Sequence, residues 1–150
     1  MSGFKGSYTY SVDSKGRINI PAKMRKVVSP DANDTFTITR GFEKCLFVYP
    51  QDEWIKFENA IRSLSHTNPQ HRFFMRVLLQ QATESQLDAQ ARITIPKELL
   101  EFASIDSEVL ILGVLQRIEL WNPKEYQAYL ASQEKSYEEV AETVLPKNQT

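Results

Sequence analysis

The chain has 150 residues, 41% apolar and 25% charged, enough for one compact domain or for two halves sharing a core. Its single cysteine, Cys45, excludes an internal disulfide and a cysteine-rich zinc site. The longest apolar run, Val109–Leu115, falls far short of the ~20 residues a membrane span needs, and the N-terminal Met-Ser-Gly-Phe-Lys-Gly-Ser lacks the apolar stretch of a secretory signal. A soluble, cytosolic protein is expected.

In chain order, Tyr8–Val12 alternates and is β-prone, and Asp13–Gly16 has turn chemistry. Arg17-Ile18-Asn19-Ile20 alternates again, so Arg17 and Asn19 share an outer face while the isoleucines point inward. Pro21 suits a first helical turn, and the short helix after it turns Met24, Val27 and Val28 inward and Lys23, Arg25 and Lys26 to solvent. Strands are predicted near Thr35–Thr39 and Leu46–Tyr49. A helix over Asp52–Leu64 carries Trp54, Phe57, Ile61 and Leu64 at helical spacing, and Asn68-Pro69 opens another with Phe73, Phe74, Val77 and Leu78 as its apolar face. Further strands are predicted near Val109–Leu112 and Ile118–Trp121. Asn122-Pro123 then starts a helix with Tyr126, Tyr129, Leu130 and Tyr137 along one side, a core or subunit contact. Pro146–Thr150 reads as a frayed end.

Two segments repeat. Val12-Asp13-Ser-Lys15-Gly16-Arg17-Ile-Asn19-Ile-Pro21 matches Leu87-Asp88-Ala-Gln90-Ala91-Arg92-Ile-Thr94-Ile-Pro96 at an offset of 75 residues. Phe36–Gly41 matches Glu108–Gly113, and Tyr49/Glu53/Trp54 match Trp121/Glu125/Tyr126, now at an offset of 72. The change of offset falls in the loops Ser29–Asp34 and Ile105–Ser107, where length is tolerated best. A unit of this size buries too little surface alone, so two copies imply a pseudo-twofold in which the halves complete one barrel or sandwich.

Charge follows the same division. The formal net charge is −1, but residues 1–50 carry +4, residues 51–82 carry +1 and residues 83–150 carry −6. The basic excess is densest between Lys5 and Lys26, where six cations face only Asp13. A basic stripe of this kind fits either an oriented polyanion binder or a solvated surface.

Catalytic chemistry is not legible. The glycines are isolated, so no phosphate loop exists, and His66 and His71, at a spacing of five, have no partner motif and read as solvated. Cys45 lies in an apolar strand and reads as a small hydrophobe. No enzyme, metal site, cofactor or small-molecule substrate is expected. The duplicated Asp-x-x-x-Arg turn remains, with two compatible roles. Asp13 and Asp88 could cap their turns and pair with Arg17 and Arg92, fixing loop shape alone. Alternatively, Arg17 projects from a rigid turn to read guanine, with Asn19 able to read adenine and Lys15 to neutralise phosphate.

The two motif copies, together with Cys45-Leu-Phe-Val-Tyr-Pro-x-x-Glu-Trp54, the Asn68-Pro69 helix and Leu120-Trp121, resemble the MraZ family of transcriptional regulators, within the AbrB/SpoVT-like superfamily. The resemblance covers nearly the whole chain. It implies an α+β fold of two AbrB/SpoVT-like swapped-hairpin halves forming one pseudo-twofold β-barrel with flanking helices. The corresponding divisions are residues 7–54 (first repeat), 55–82 (helical connector), 83–126 (second repeat) and 127–150 (C-terminal helix and tail). It implies a cytoplasmic, nucleoid-associated bacterial protein, assembled as a ring-like homo-oligomer. It further implies binding to double-stranded DNA with short repeated boxes, upstream of a cell-division and cell-wall gene cluster that includes its own gene. The resemblance implies Asp13, Arg17, Asp88 and Arg92 as the signature positions and Lys15 as the basic residue of the first turn; Asn19, Lys23, Arg25 and Gln90, read from their places beside these turns, complete the expected DNA-binding set. The second copy departs at Gln90 and at Ala91, which stands where the first has Gly16. Alanine is strained at positive φ, so the second turn is expected to take a different shape, and whether Arg92 then contacts DNA as Arg17 does is left open. A rival reading from another class is an antitoxin-like interaction module whose acidic residues 131–150 meet a basic partner.

Overall fold

The computed structural model describes residues 3–146, so only Pro146 of the expected frayed end can be placed and residues 147–150 lie outside the described residues. The architecture is α+β with antiparallel sheets. The strands are β1 (Ser7–Ser11), β2 (Arg17–Asn19), β3 (Thr35–Arg40), β4 (Leu46–Pro50), β5 (Thr83–Gln86), β6 (Arg92–Thr94), β7 (Glu108–Val114) and β8 (Arg117–Trp121). The helices are α1 (Ala22–Arg25), α2 (Gln51–Arg62), α3 (Pro69–Gln80), α4 (Lys97–Phe102), α5 (Pro123–Ala131) and α6 (Tyr137–Val144), with a 3-10 turn at Pro30–Ala32 in the longer of the two variable loops.

Six strands form one sheet in the order β1-β7-β8-β4-β3-β5, and β2 pairs with β6 in a separate two-stranded ribbon. Exchanging each strand for its counterpart in the other repeat turns that order into its own reverse. The connectivity is therefore pseudo-twofold. Four of the six strand pairings among the described residues join one repeat to the other: β1 to β7, β2 to β6, β3 to β5 and β4 to β8. Neither half has a complete sheet alone, which is why the sequence carries two copies.

Alternation decides the two faces of the large sheet. Phe36 and Ile38 of β3, Leu46 and Val48 of β4, Val109 and Ile111 of β7, and Ile118 and Leu120 of β8 point to one side. There they meet Ile18, Ile20, Ile93 and Ile95 beneath the ribbon, with Met24 of α1 and Leu99 of α4 closing the layer. A three-residue ribbon would not persist in water by itself. Burial of its four isoleucines, roughly 2 kcal/mol each as an upper estimate, anchors it to the sheet. The opposite face is aromatic: Phe47, Tyr49 and Trp121 lie under α2 and α5, with Trp54, Phe57, Tyr126 and Tyr129 packed on them. Glu119 is buried among these rings because Arg117 and the Trp121 indole N–H donate to its carboxylate, at 2.7 and 3.0 Å. Cys45 is fully buried in this layer, and burial first, then the Glu119 charge, pushes its thiol up to about 12.

Two helical expectations need correction. Phe73 is not on the inward face of α3; it is 69% exposed, because it lies about 100° round the helix from Phe74, outside the arc of Phe74, Val77 and Leu78. The C-terminal apolar stripe is not one face either. Tyr126 packs edge-on and Tyr129 tilted against Trp121, at 5.1 and 5.3 Å, but Leu130 and Tyr137 are exposed. Helix α5 stops at Ser132 and α6 starts at Ser136, whose hydroxyl accepts from the Glu139 N–H while the Glu139 carboxylate accepts from the Ser136 N–H.

Candidate nucleic-acid interface

The two Asp-x-x-x-Arg turns lead into β2 and β6, and antiparallel pairing of those strands sets the turns at opposite ends of one ribbon. In the antiparallel register Arg17 faces Thr94, Ile18 faces Ile93 and Asn19 faces Arg92. Residues directly opposite one another share a face. The isoleucines therefore go down, and Arg17, Asn19, Arg92 and Thr94 form the outward face of the ribbon.

Each turn is built by its aspartate. Asp13 Oδ1 accepts from the backbone N–H groups of Lys15 and Arg17, at 2.9 and 2.8 Å, and Oδ2 accepts from Arg17 Nε at 2.6 Å. Asp88 repeats the pattern with Gln90 N–H (2.9 Å), Arg92 N–H (3.0 Å) and Arg92 Nε (2.9 Å). Backbone bonds close both turns alike, from Gly16 to Asp13 and from Ala91 to Asp88, each at 3.0 Å. Gly16 and Ala91 both have positive φ, 76° and 61°. The expected change of shape in the second turn is thus wrong. The aspartate bonds and the strand pairing outweigh the ~1 kcal/mol that a left-handed alanine costs.

The Arg17 backbone N–H, foremost, then its side chain and the Lys15 N–H hold the Asp13 carboxyl below the ordinary aspartate range, against an opposing desolvation. Desolvation acts on Asp88 to raise it, and hydrogen bonds from Arg92 and Gln90 together overcome this and leave it lowered. Both turns stay charged and closed at neutral pH. Because each arginine is gripped through Nε, its terminal nitrogens point onward. Neither Nη atom of Arg17 has a hydrogen-bond partner among the described residues, and Arg92 Nη1 lies 3.8 Å from Asp13 Oδ2, linking the two motifs. Such a clamp keeps the guanidinium extended and aimed.

The remaining expected residues are placed unequally. Lys15 and Gln90 are exposed at the turn tips, at opposite ends of the ribbon. Asn19 Nδ2 donates to the Gln90 carbonyl at 2.8 Å, so part of its amide clamps the second turn. Arg25, on α1 of the first repeat, stands beside the second turn, lining a depression with Asn19, Gln90 and Ala91. Lys23 is exposed on the same helix and does not line it. Lys97 of α4 stands beside the first turn, with Glu101, and was not among the expected residues. The repeat already aligned Lys97 with Ala22 at the 75-residue offset, but only the crossing of the halves puts each helix next to the other repeat's turn. Away from the ribbon, His71 is not simply solvated: its Nδ1 accepts from the Ser65 N–H at 2.9 Å.

Comparisons with known proteins agree with the repeat. The family model described as "MraZ protein, putative antitoxin-like" matches twice, over residues 4–77 and 78–148. A protein of Halothermothrix orenii named Transcriptional regulator MraZ is 48% identical over 138 residues, covering 92% of this chain and 94% of that relative. Proteins of the same name from Syntrophomonas wolfei and Desulforamulus reducens are 42% and 39% identical, each covering 95% of this chain and, respectively, 96% and 97% of their own lengths. With two copies of the family model spanning nearly its whole length, the chain belongs to the MraZ family.

Proposed function

We propose that the protein is a sequence-specific DNA-binding transcriptional regulator that reads DNA with the outward face of the β2–β6 ribbon. One observation carries this: two arginines, each clamped through Nε by its own aspartate, lie on one face of a two-stranded ribbon. A major groove about 12 Å wide admits such a ribbon, and an arginine with both Nη groups available matches the two acceptors on a guanine edge. Arg17 and Arg92 read base edges, with Asn19 and Gln90 beside them. Lys15, Lys23 and Arg25 neutralise phosphates, and Asp13 and Asp88 aim the arginines without touching DNA.

The names of the relatives support regulation of transcription. The interlocked strand pairing supports two swapped-hairpin halves closing into one barrel, divided at residues 7–54, 55–82, 83–126 and 127–150. The target is a set of short repeated boxes in the promoter of a cell-division and cell-wall gene cluster that includes the protein's own gene. A ring-like homo-oligomer engages several boxes at once, so avidity offsets the weak charge attraction of a nearly neutral chain. The role is non-enzymatic, without cofactor, metal or small-molecule substrate. The protein works in the cytoplasm on the nucleoid, and no helix among the described residues is long and apolar enough to cross a membrane.

The test is fluorescence anisotropy on duplexes from the region upstream of the gene. Arg17→Ala should weaken binding to one box by about 10- to 100-fold, the worth of one bidentate base contact. Wild-type affinity should fall steeply with added salt. Unchanged affinity in an Arg17→Ala chain of wild-type circular dichroism overturns the assignment.

A further inference from the structure

The two arginines of the ribbon have unlike neighbours. Across the β2–β6 pair Arg17 faces Thr94 and Arg92 faces Asn19, so the same pseudo-twofold place holds a threonine in one half and an asparagine in the other. Side chains directly opposite on one face stand about 5 Å apart at Cβ, comparable with the ~3.4 Å step between base pairs. Each arginine and its neighbour therefore address the same base pair or the next one.

Asn19 is exposed on the outer face, yet its amide is not free to turn. Nδ2 donates to the Gln90 carbonyl at 2.8 Å. A carbonyl oxygen only accepts, so the amide nitrogen has to face it; the flipped amide would set two acceptors against each other. The anchor is itself rigid, because Asp88 accepts from the Gln90 N–H at 2.9 Å and the turn closes from Ala91 to Asp88. That settles which atom is left over: Oδ1, an acceptor without a hydrogen-bond partner among the described residues. Beside it, Arg92 is gripped by Asp88 through Nε and offers donors alone. Thr94 gives Arg17 no such companion. Its hydroxyl rotates and either donates or accepts, so it discriminates poorly between bases.

In the major groove, donors come from the exocyclic amines, N4 of cytosine and N6 of adenine, whereas thymine O4 and guanine O6 are acceptors that would oppose Oδ1. We propose that Asn19 is a specificity-determining residue of the ribbon, whose tethered amide presents Oδ1 to the amine of a cytosine or an adenine beside the base that Arg92 reads. The proposal rests on the ribbon reading of the proposed function. It replaces the general adenine preference expected from the sequence with a contact to an amine, one amide N–H being already committed to Gln90. With Thr94 in the matching place, the two halves of the ribbon read unlike base steps.

The test is fluorescence anisotropy of the full chain on single-box duplexes. Each adenine in turn is replaced by purine and each cytosine by pyrimidin-2-one, which keep the ring and lack the exocyclic amine. At one position the analogue should weaken the wild-type chain by about 3- to 10-fold, the worth of one hydrogen bond, and should not weaken Asn19→Ala any further. Any change in duplex pairing is common to both proteins and cancels in that comparison. Which analogue produces the penalty tells adenine from cytosine. Guanines replaced by 7-deazaguanine read the arginine contacts separately, and those penalties should be the same in wild type and in Asn19→Ala. Amine penalties that all persist in Asn19→Ala overturn the inference, and so does loss of the 7-deazaguanine penalties in that variant, because the amide would then only hold the turn. A wild-type chain with no preference for the box over a scrambled duplex removes the regulator reading and this contact with it. Loss of box binding in Arg17→Ala, with every amine penalty intact in Asn19→Ala, overturns this inference alone.

Discussion

The first and second Asp-x-x-x-Arg turns have the same backbone and different surfaces. Both are drawn closed by one carboxylate, both hold an arginine through Nε, and both place a residue at positive φ. Yet Lys15 becomes Gln90, Gly16 becomes Ala91 and Asn19 becomes Thr94. The neighbouring helices differ too: basic α1 flanks the second turn, and α4, with Lys97 and Glu101, flanks the first. Shape is therefore set by what the two copies share, the aspartate and the inward isoleucines, while recognition is left to what they do not share. Glycine is not what makes the turn. It matters in the first copy for another reason: a Cβ on Gly16 would lie 2.7 Å from the Ile95 carbonyl oxygen.

The equivalence is tested most severely underneath the ribbon. Ile18→Ala and Ile93→Ala should each destabilise by about 2–5 kcal/mol, and by similar amounts, since both side chains are fully buried against the same sheet face. Chemical denaturation would show this, and a twofold or greater disparity would mean that one half dominates the core. Next in size is the turn residue. Gly16→Ala should lose about 1–3 kcal/mol through positive φ and the close carbonyl, whereas Ala91→Gly should be neutral or gain up to ~1 kcal/mol. Equal losses from both would show that the turns are seated alike. A smaller effect is expected at the tips. Lys15→Gln should lower the slope of log affinity against log salt by about 1, and Gln90→Lys should raise it by about 1 if both tips lie against phosphates.

Acid is the mildest probe. The folded carboxyls of Asp13 and Asp88 lie below their unfolded value of about 3.9, so their contribution is fully present above that range and disappears as pH falls through the lowered folded values. The contribution of these two carboxyls to the melting temperature should stay constant from neutral pH toward the aspartate range and drop below it. In the double variant Asp13→Asn/Asp88→Asn the part of the drop due to these turns should be absent.

Much of the fold is legible in the sequence because it rests on periodicity and local chemistry. The strands after each turn, the caps at Asn68 and Asn122, the solitary hydrophobic Cys45 and the turn-forming aspartates follow from residues within a few positions of one another. The repeat itself announces two interdependent halves. What could not be read has a common physical cause. The place of Ala91, the pairing of Asn19 with the Gln90 carbonyl, and the juxtaposition of Arg25 and Lys97 with the opposite repeat's turns depend on contacts across about 70 residues or more of chain. The break between α5 and α6 was a local signal, Ser136 to Glu139, masked by an apolar spacing that ran on past it.

Sequence alone determined that a carboxylate and an arginine four residues apart would recur twice, each on the outward face of a short strand. Only the tertiary structure decided that the two would share one ribbon. That outcome requires β2 to pair with β6 over a sheet woven from both halves, because each ribbon strand buries its isoleucines only when the other half supplies the floor.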